Sequence, residues 1–481
     1  MSRVVRRRGR GRPRGPTGLA RRASPTQARL LAVRVLERVE RSGAFADLAL
    51  HAALHRSGLR APDRGFVTDL VYGTLRWRGR LDYLLGFVLD RDWGSLEPRV
   101  ATLLRVGAYQ IALAERVPVS AAVDQSVRCA HALGIERAAG LVNAALRRLA
   151  REIGSIPFPP LSTDPVGHLT HALSLPAWIA ERWVRQLGAE EAAALAAASN
   201  RAAPLTVRVN PQRAEPQRLL EELHSRFPEA RPCPYAPLGL RLGPHGRPGE
   251  DPAFLDGRFT VQDEASQLVV ELLEPRPGEH ILDLCAAPGT KTTALAERVG
   301  PGGCVVAVDR NRRRLALVGR ACQRLGLENV RLQLLDATRP LPALPGAPFD
   351  RILVDAPCSG LGTLRRNPDA RWRIRPEDPA RLAEIQRALL RRALDCLRPG
   401  GTLVYSTCTL FSEENEAVVG ALRTALQAEG SRPLLPAPRP PWLDRLQEGA
   451  EGTTRGEDFL RTWPHRHDMD GFFAARLVLS P

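Results

Sequence analysis

Two cysteines stand where reactive thiols would be expected. Cys358 lies in Asp355-Ala356-Pro357-Cys358-Ser359-Gly360, directly after an apolar run, and Cys408 lies in Tyr405-Ser406-Thr407-Cys408-Thr409, after residues 401–404. Each follows a strand-like segment into a loop of small or hydroxyl residues. Most cysteines are small buried hydrophobes, and Cys129, Cys304, Cys322 and Cys396 are read that way because each sits in an apolar or helical run. Two thiols on one sheet edge point instead to covalent catalysis. The residue pattern alone does not rank one thiol above the other as nucleophile.

A second stretch could hold a cofactor: Ile281-Leu282-Asp283-Leu284-Cys285-Ala286-Ala287-Pro288-Gly289-Thr290-Lys291-Thr292. An apolar strand runs into a turn of small residues and then a helix. Small residues let backbone approach a ligand closely, and a helix start offers N–H groups to a carboxylate. A phosphate-binding P-loop is excluded, because Leu284 stands where its first glycine belongs and Thr290 separates Gly289 from Lys291. The GxGxxG dinucleotide fingerprint is absent. Asp309 ends the next strand, about 20–26 residues after the loop, where an acid can bind ribose hydroxyls. Asp336 and Asp355 end the two strands that follow. One such acid is often a helix cap. Four in register, with Asp283, are expected to converge on the crevice at the carboxyl ends of a sheet.

The elements that must position these groups are legible as strands alternating with helices from Phe259 onward. Strands are expected at 280–284, 304–308, 330–334, 351–354 and 402–406, with a closing strand at 471–479. This predicts a largely parallel sheet covered on both faces, a Rossmann-like α/β domain over 259–481. Residues 434–442, rich in proline, are expected in a surface loop. Residues 171–258 mix an Ala-rich helix at 190–198 with a strand at 206–209 and Gly/Pro turns such as 243–249, a small α+β segment. A proline-rich linker is placed at 151–170. Residues 24–150 carry helical periodicity, starting at Ser24-Pro25 with Leu30, Val33, Leu36 and Val39 and continuing through 66–75, 81–89, 100–113, 120–133 and 138–149. They predict an all-α bundle of about six helices.

Composition narrows the partner. The chain has 481 residues, a formal charge of +17 and 25% charged residues. That balance suggests a polyanion, most simply nucleic acid. Residues 1–29 hold ten Arg and no acid, and 1–23 are expected to be a disordered basic arm. Arg365, Arg366, Arg371, Trp372 and Arg373 follow Cys358 directly and would suit phosphate contact and base stacking. Lys291 is the single lysine among 69 Lys and Arg residues. No apolar run reaches the roughly 20 residues of a membrane span, and no secretory leader is apparent. Eight sparse cysteines, with no zinc spacing, suggest reduced thiols in the cytoplasm and no metal.

Together, Asp283-Leu-Cys-Ala-Ala-Pro-Gly-Thr-Lys291-Thr, Asp309, Asp336, Asp355-Ala-Pro-Cys358-Ser-Gly and Ser-Thr-Cys408-Thr resemble the RNA 5-methylcytosine methyltransferases. Asp63-Arg64-Gly65-Phe66 and Leu141-Val142-Asn143-Ala144-Ala145-Leu146-Arg147 are similar to the antitermination factor NusB, and Thr260 to Ser266 is similar to the family's entry to its catalytic domain. A NusB-like domain fused to the catalytic one is the mark of the bacterial subfamily that modifies small-subunit ribosomal RNA. The resemblance spans residues 24–481, with Thr290 departing from the family's usual glycine. It implies S-adenosylmethionine as cofactor, held by Cys285, Ala286, Ala287, Pro288, Gly289, Thr290, Lys291, Asp309, Asp336 and Asp355. It implies Cys408 as the nucleophile toward cytosine C6, Cys358 as the thiol assisting elimination, and Asp355 on the cytosine edge. The partner it implies is 16S rRNA in an unfolded or single-stranded stretch, with the protein acting as a monomer away from membranes. A transfer-RNA cytosine methyltransferase and a non-enzymatic NusB-like RNA-binding protein are the alternatives.

Overall fold

The computed structural model describes residues 25–243, 246–447 and 459–481. The basic arm expected at 1–23 and part of the turn at 243–249 lie outside the described residues. Two compact units divide the chain: one runs to Leu75 and takes in Leu84–Ile156, and the other comprises Arg76–Tyr83 with Pro157–Pro481.

The first unit is helical. Its helices are Pro25–Ser42, Ala46–Arg56, Ala61–Val88, Pro98–Ala112, Val119–Ala132 and Ala139–Glu152. Pro25 opens the first, as a residue with no N–H to lose can. Val33, Leu36, Leu70, Leu103, Leu104, Val142, Leu146 and Leu149 recur at helical spacing and are buried. The number of helices is the expected one, but two of them differ. Residues 66–75 and 81–88 belong to one helix, Ala61–Val88, which ends before Leu89, and Ala46–Arg56 carries too weak an apolar stripe to stand out in sequence. The Arg-rich octet Arg76–Tyr83 hid the continuity because its polar groups bond within the second unit: Arg76 donates to the Arg365 carbonyl (2.8 Å) and the Gly79 N–H to Ser174 Oγ (2.9 Å).

The second unit holds two sheets. The smaller has strands β1 (Thr206–Val209), β2 (Arg231–Pro232), β3 (Gly239–Arg241) and β4 (Phe259–Val261) in the order β2-β3-β1-β4, all antiparallel. The larger has β5 (His280–Leu284), β6 (Cys304–Asp309), β7 (Val330–Leu334), β8 (Phe349–Asp355), β9 (Leu397–Thr407), β10 (Leu434–Pro436), β11 (Phe459–Thr462) and β12 (Phe472–Leu479). Its order is β10-β12-β9-β8-β5-β6-β7, with β11 on β12. The five strands β5 to β9 are parallel, while β12 runs antiparallel to β9 and to its other partners. The sheet is therefore mixed, with the parallel part as expected. Residues 434–436 are an edge strand and not a loop; proline is tolerated at an edge because it removes no interior ladder donor.

Alternation along β5 explains the burial on both faces. Ile281 joins Val305, Leu353 and Val404 beneath the helices Glu264–Leu273, Thr290–Val299 and Arg312–Leu325, while Leu282 and Leu284 join Val306, Ile352 and Tyr405 beneath Asp378–Leu394 and Glu416–Ala428. The chain leaves β5 for β6 and β7, then returns to β8 on the other side of β5. That reversal opens a crevice at the carboxyl ends of β5 and β8, the position where open α/β sheets bind ligands.

The arginines after Cys358 correct the expectation of an RNA-facing run. Arg365 is 4% exposed and donates to Asp468 and to the Ala202 carbonyl, both at 2.8 Å. Arg366 bridges Asp263 (2.7 Å) and Asp470 (2.9 Å). Arg371 is fully buried and donates to the Ser174 carbonyl (3.0 Å) and Asn200 Oδ1 (2.9 Å). Burial, with Arg76 nearby, pushes its pKa down to about 9. Arg373 pairs with Asp369 at 2.7 Å, and Trp372 lies under the Arg78 guanidinium at 5.3 Å. Arg365, Arg366 and Arg371 staple segments distant in sequence, while Arg373 pairs locally. A charge run looks the same in sequence whether it faces RNA or is buried and paired, because its partners come from elsewhere in the chain.

Candidate active site

The turn after β5 is built by backbone conformation. Cys285 takes φ 64°, a left-handed value that non-glycine residues seldom adopt. Gly289 takes φ 107°, and a Cβ there would stand 3.0 Å from Val318 Cα, so this position needs glycine. The Ala286 N–H donates to the Val308 carbonyl (2.9 Å) and Arg314 to the Ala287 carbonyl (2.7 Å), which fixes the turn against the end of β6. Asp283 is 1% exposed; its Oδ2 accepts the Thr292 hydroxyl at 2.6 Å while its Oδ1 has no partner. Burial pushes its pKa up to about 7.

Asp309 accepts the Asn311 N–H at 2.8 Å and the Ala287 N–H at 3.3 Å. Asp336 accepts the Thr338 hydroxyl at 2.7 Å, and that bond holds its carboxyl below the usual range. Both line a cavity of about 150 Å³, together with Cys285, Asn311, Ala337 and Pro357. Of the loop residues 285–291, Cys285 alone lines it, and Asp283 does not. The four acids therefore do not share one surface: two face the cavity, one is buried beneath the turn, and Asp355 is held by Lys291 and Ser406.

Asp355 sits at the end of β8 between Lys291 Nζ (2.9 Å) and Ser406 Oγ (2.8 Å). Burial opposes the Lys291 ammonium, but Asp355, Cys408 and Asp283 together outweigh it, so its pKa lies above the ordinary lysine value. The ammonium also lies 5.0 Å from the centroid of the Phe472 ring. Cys358 and Cys408 are brought together, with their sulfurs 3.4 Å apart and the Cys408 N–H directed at Cys358 Sγ (3.3 Å). The hydrogen bond to Cys408, followed by burial and the charges of Cys408 and Glu414, raises the Cys358 pKa well above the thiol range. Cys129 and Cys322 are buried and pushed up to about 11, as expected of packing thiols, whereas Cys304 and Cys396 are only partly buried.

Sequence reasoning missed Thr292, Ser406 and Glu414. Thr292 and Ser406 stood inside the motifs as ordinary hydroxyls. Glu414 belongs to Glu413-Glu414-Asn415-Glu416, which in sequence is indistinguishable from a solvated acidic face.

A doubly wound sheet carrying this cavity and thiol pair at its switch point is the framework of a Rossmann-like methyltransferase. Among known proteins, residues 270–478 match the family described as 16S rRNA methyltransferase RsmB/F, residues 26–151 the NusB family, and residues 175–246 the Methyltr_RsmF/B-like, ferredoxin-like domain. The chain is 38% identical over 455 residues to the probable ribosomal RNA small subunit methyltransferase B of Synechocystis sp., covering 94% of this chain and 99% of that one. It is 34% identical to its counterpart in Bacillus subtilis, covering 93% and 98%. The solved structure of NSun6 from Pyrococcus horikoshii with SFG aligns at 25% identity and a TM-score of 0.55, covering 65% of this chain and 100% of that one. The chain belongs to the 16S rRNA methyltransferase RsmB/F family and is an rRNA methyltransferase. Among the described residues, no helix is long and apolar enough to cross a membrane.

Proposed function

We propose that the protein methylates C5 of a cytosine in a single-stranded or unfolded stretch of 16S rRNA, using S-adenosylmethionine and a covalent bond between Cys408 and C6. The observation that carries this reading is the thiol pair, 3.4 Å apart, beside the Lys291–Asp355 ion pair. The cavity between the ends of β5 to β7 suits the cofactor: Asp309 and Asp336 offer carboxylate oxygens to its hydroxyl and amine groups, and the unpartnered Asp283 Oδ1 marks polar capacity beneath the turn. When bound, S-adenosylmethionine supplies an electrophilic methyl group.

The protein's own groups divide the remaining work. Cytosine C5 is a weak nucleophile until a thiolate adds to C6, which makes the ring an enamine. Cys408 gives its proton to solvent and adds to C6 as the thiolate, while the contact with Cys408 and burial, which raise the Cys358 pKa, favour Cys358 as the thiol. Asp355, paired with Lys291, accepts from the cytosine amine, while the ammonium balances negative charge developing on the ring. Once Cys408 is bonded to C6 it no longer raises the Cys358 pKa. Cys358 then gives its proton to solvent and, as the thiolate, takes the C5 proton; the C5–H electrons form C5=C6 and expel Cys408 as thiolate.

Incubating 16S rRNA with the protein and S-adenosylmethionine should protect one cytosine from bisulfite conversion and leave transfer RNA unmodified. Protection in transfer RNA alone would overturn the substrate. Asp309→Ala should weaken cofactor binding by about 1–3 kcal/mol in calorimetry, the scale of hydrogen bonds to a charged group. Unchanged affinity would reduce Asp309 to a brace for Ala287 and Asn311.

A further inference from the structure

Glu414 is 0% exposed and has no ion-pair partner among the described residues, an unusual place for a carboxylate. It lies in the short turn Ser412–Glu414, after β9. Its Oε1 accepts the Ser359 N–H (2.9 Å) and Gln386 Nε2 (3.1 Å), and its Oε2 accepts the Ser359 hydroxyl (2.5 Å). Ser359 Oγ is in turn 2.6 Å from Thr409 Oγ1. Ser359 follows Cys358 and Thr409 follows Cys408. Gln386 also donates to the Pro357 carbonyl (2.9 Å), on the other side of Cys358. One carboxylate thus gathers the residues flanking both thiols, and burial raises its pKa.

A carboxylate is costly to bury, and a fully apolar contact would hold two loops together without that cost. A carboxylate at this point does what an apolar group cannot: it accepts backbone and hydroxyl donors from the thiol loops simultaneously, and it adds negative charge close to Cys358. We propose that Glu414 is a positioning residue for the two-thiol reaction, fixing the loop of Cys358 against the loop of Cys408 so that the two sulfurs stay within contact. This inference rests on the two-thiol reading above. Glu414 is not among the residues lining the cavity proposed for the cofactor. It acts through Ser359 and Thr409.

The test uses the full chain with two variants. Glu414→Gln keeps the shape but removes the charge and one of the two acceptor oxygens. Ser359→Ala removes the hydroxyl link and keeps the charge. Both should bind S-adenosylmethionine as the wild type does and methylate 16S rRNA more slowly, by about tenfold for Glu414→Gln, the factor associated with one hydrogen bond to a charged group. The second readout is the pH dependence of Cys358 alkylation by iodoacetamide in a Cys408→Ser background. Glu414→Gln should move that profile to lower pH, because a nearby negative charge disfavours the thiolate; Ser359→Ala should leave it in place. A merely structural role would slow methylation without moving the profile. Wild-type turnover together with an unmoved profile in Glu414→Gln would overturn the inference. Should Glu414→Gln fail to fold, wild-type turnover in Ser359→Ala overturns it and slowed turnover with unchanged cofactor affinity supports it. The two-thiol reading fails separately, if Cys358→Ala accumulates no covalent RNA adduct.

Discussion

Cys408→Ser abolishes methyl transfer to RNA and leaves S-adenosylmethionine affinity at the wild-type level. The two halves of this expectation come from different parts of the crevice. The cavity proposed for the cofactor is lined by Cys285, Asp309 and Asp336, and Cys408 is not among the residues lining it. The bond to C6 needs a thiolate, and a serine hydroxyl in the same place has neither the acidity nor the sulfur nucleophilicity. Serine is close in size to cysteine, so the end of β9 and its hydrogen bond from Gly362 N–H to the residue 408 carbonyl (2.9 Å) should survive. Methyl incorporation into 16S rRNA and calorimetric cofactor titration check the two halves. Near-wild-type methylation would mean that Cys408 is not the nucleophile.

Cys358→Ala has the opposite signature, a covalent protein–RNA complex that accumulates. Addition at C6 needs Cys408, and methyl acceptance needs the Lys291–Asp355 pair to hold the ring; neither requires Cys358 to lose its proton. Release requires removal of the C5 proton, and Cys358 lies 3.4 Å from the sulfur that must leave. Removing this thiol blocks the exit while the entry stays open. The adduct should survive denaturing electrophoresis and disappear in the Cys358→Ala, Cys408→Ser double variant. An adduct that persisted in the double variant, or appeared only when Cys408 was the residue removed, would exchange the two roles.

How far the sequence reveals this site depends on the range of the forces involved. β5 and β7 match their expected limits residue for residue: β5 is buried from Ile281 to Leu284 and ends where the small-residue loop begins, while β7, a largely exposed edge strand, is marked by the alternation of Val330, Leu332 and Leu334 with polar residues. The left-handed Cys285 and Gly289 turn is likewise local, and small residues announce it. The helix Ala61–Val88 looks like two in sequence because its middle octet satisfies partners far along the chain. The same limit governs Arg371, whose acceptors come from Ser174 and Asn200, and Glu414, whose donors come from Ser359 and Gln386. Polar groups buried through long-range bonds leave no periodic trace, so they are visible only once the chain is folded. The antiparallel β12 was expected as a strand, but its direction is set by pairing with β9 and is not encoded in its own alternation.

Lys291 has a practical consequence for chemical labelling. Every other cationic side chain of the Lys and Arg set is a guanidinium, inert to amine-selective reagents. Apart from the terminal amine, such a reagent addresses one atom, Lys291 Nζ, at the Asp355 carboxylate. Paired with Asp355 and shielded by Phe472, that nitrogen is protonated and poorly nucleophilic in the folded state. The protein thus carries a single-site chemical reporter whose signal depends on the opening of one ion pair.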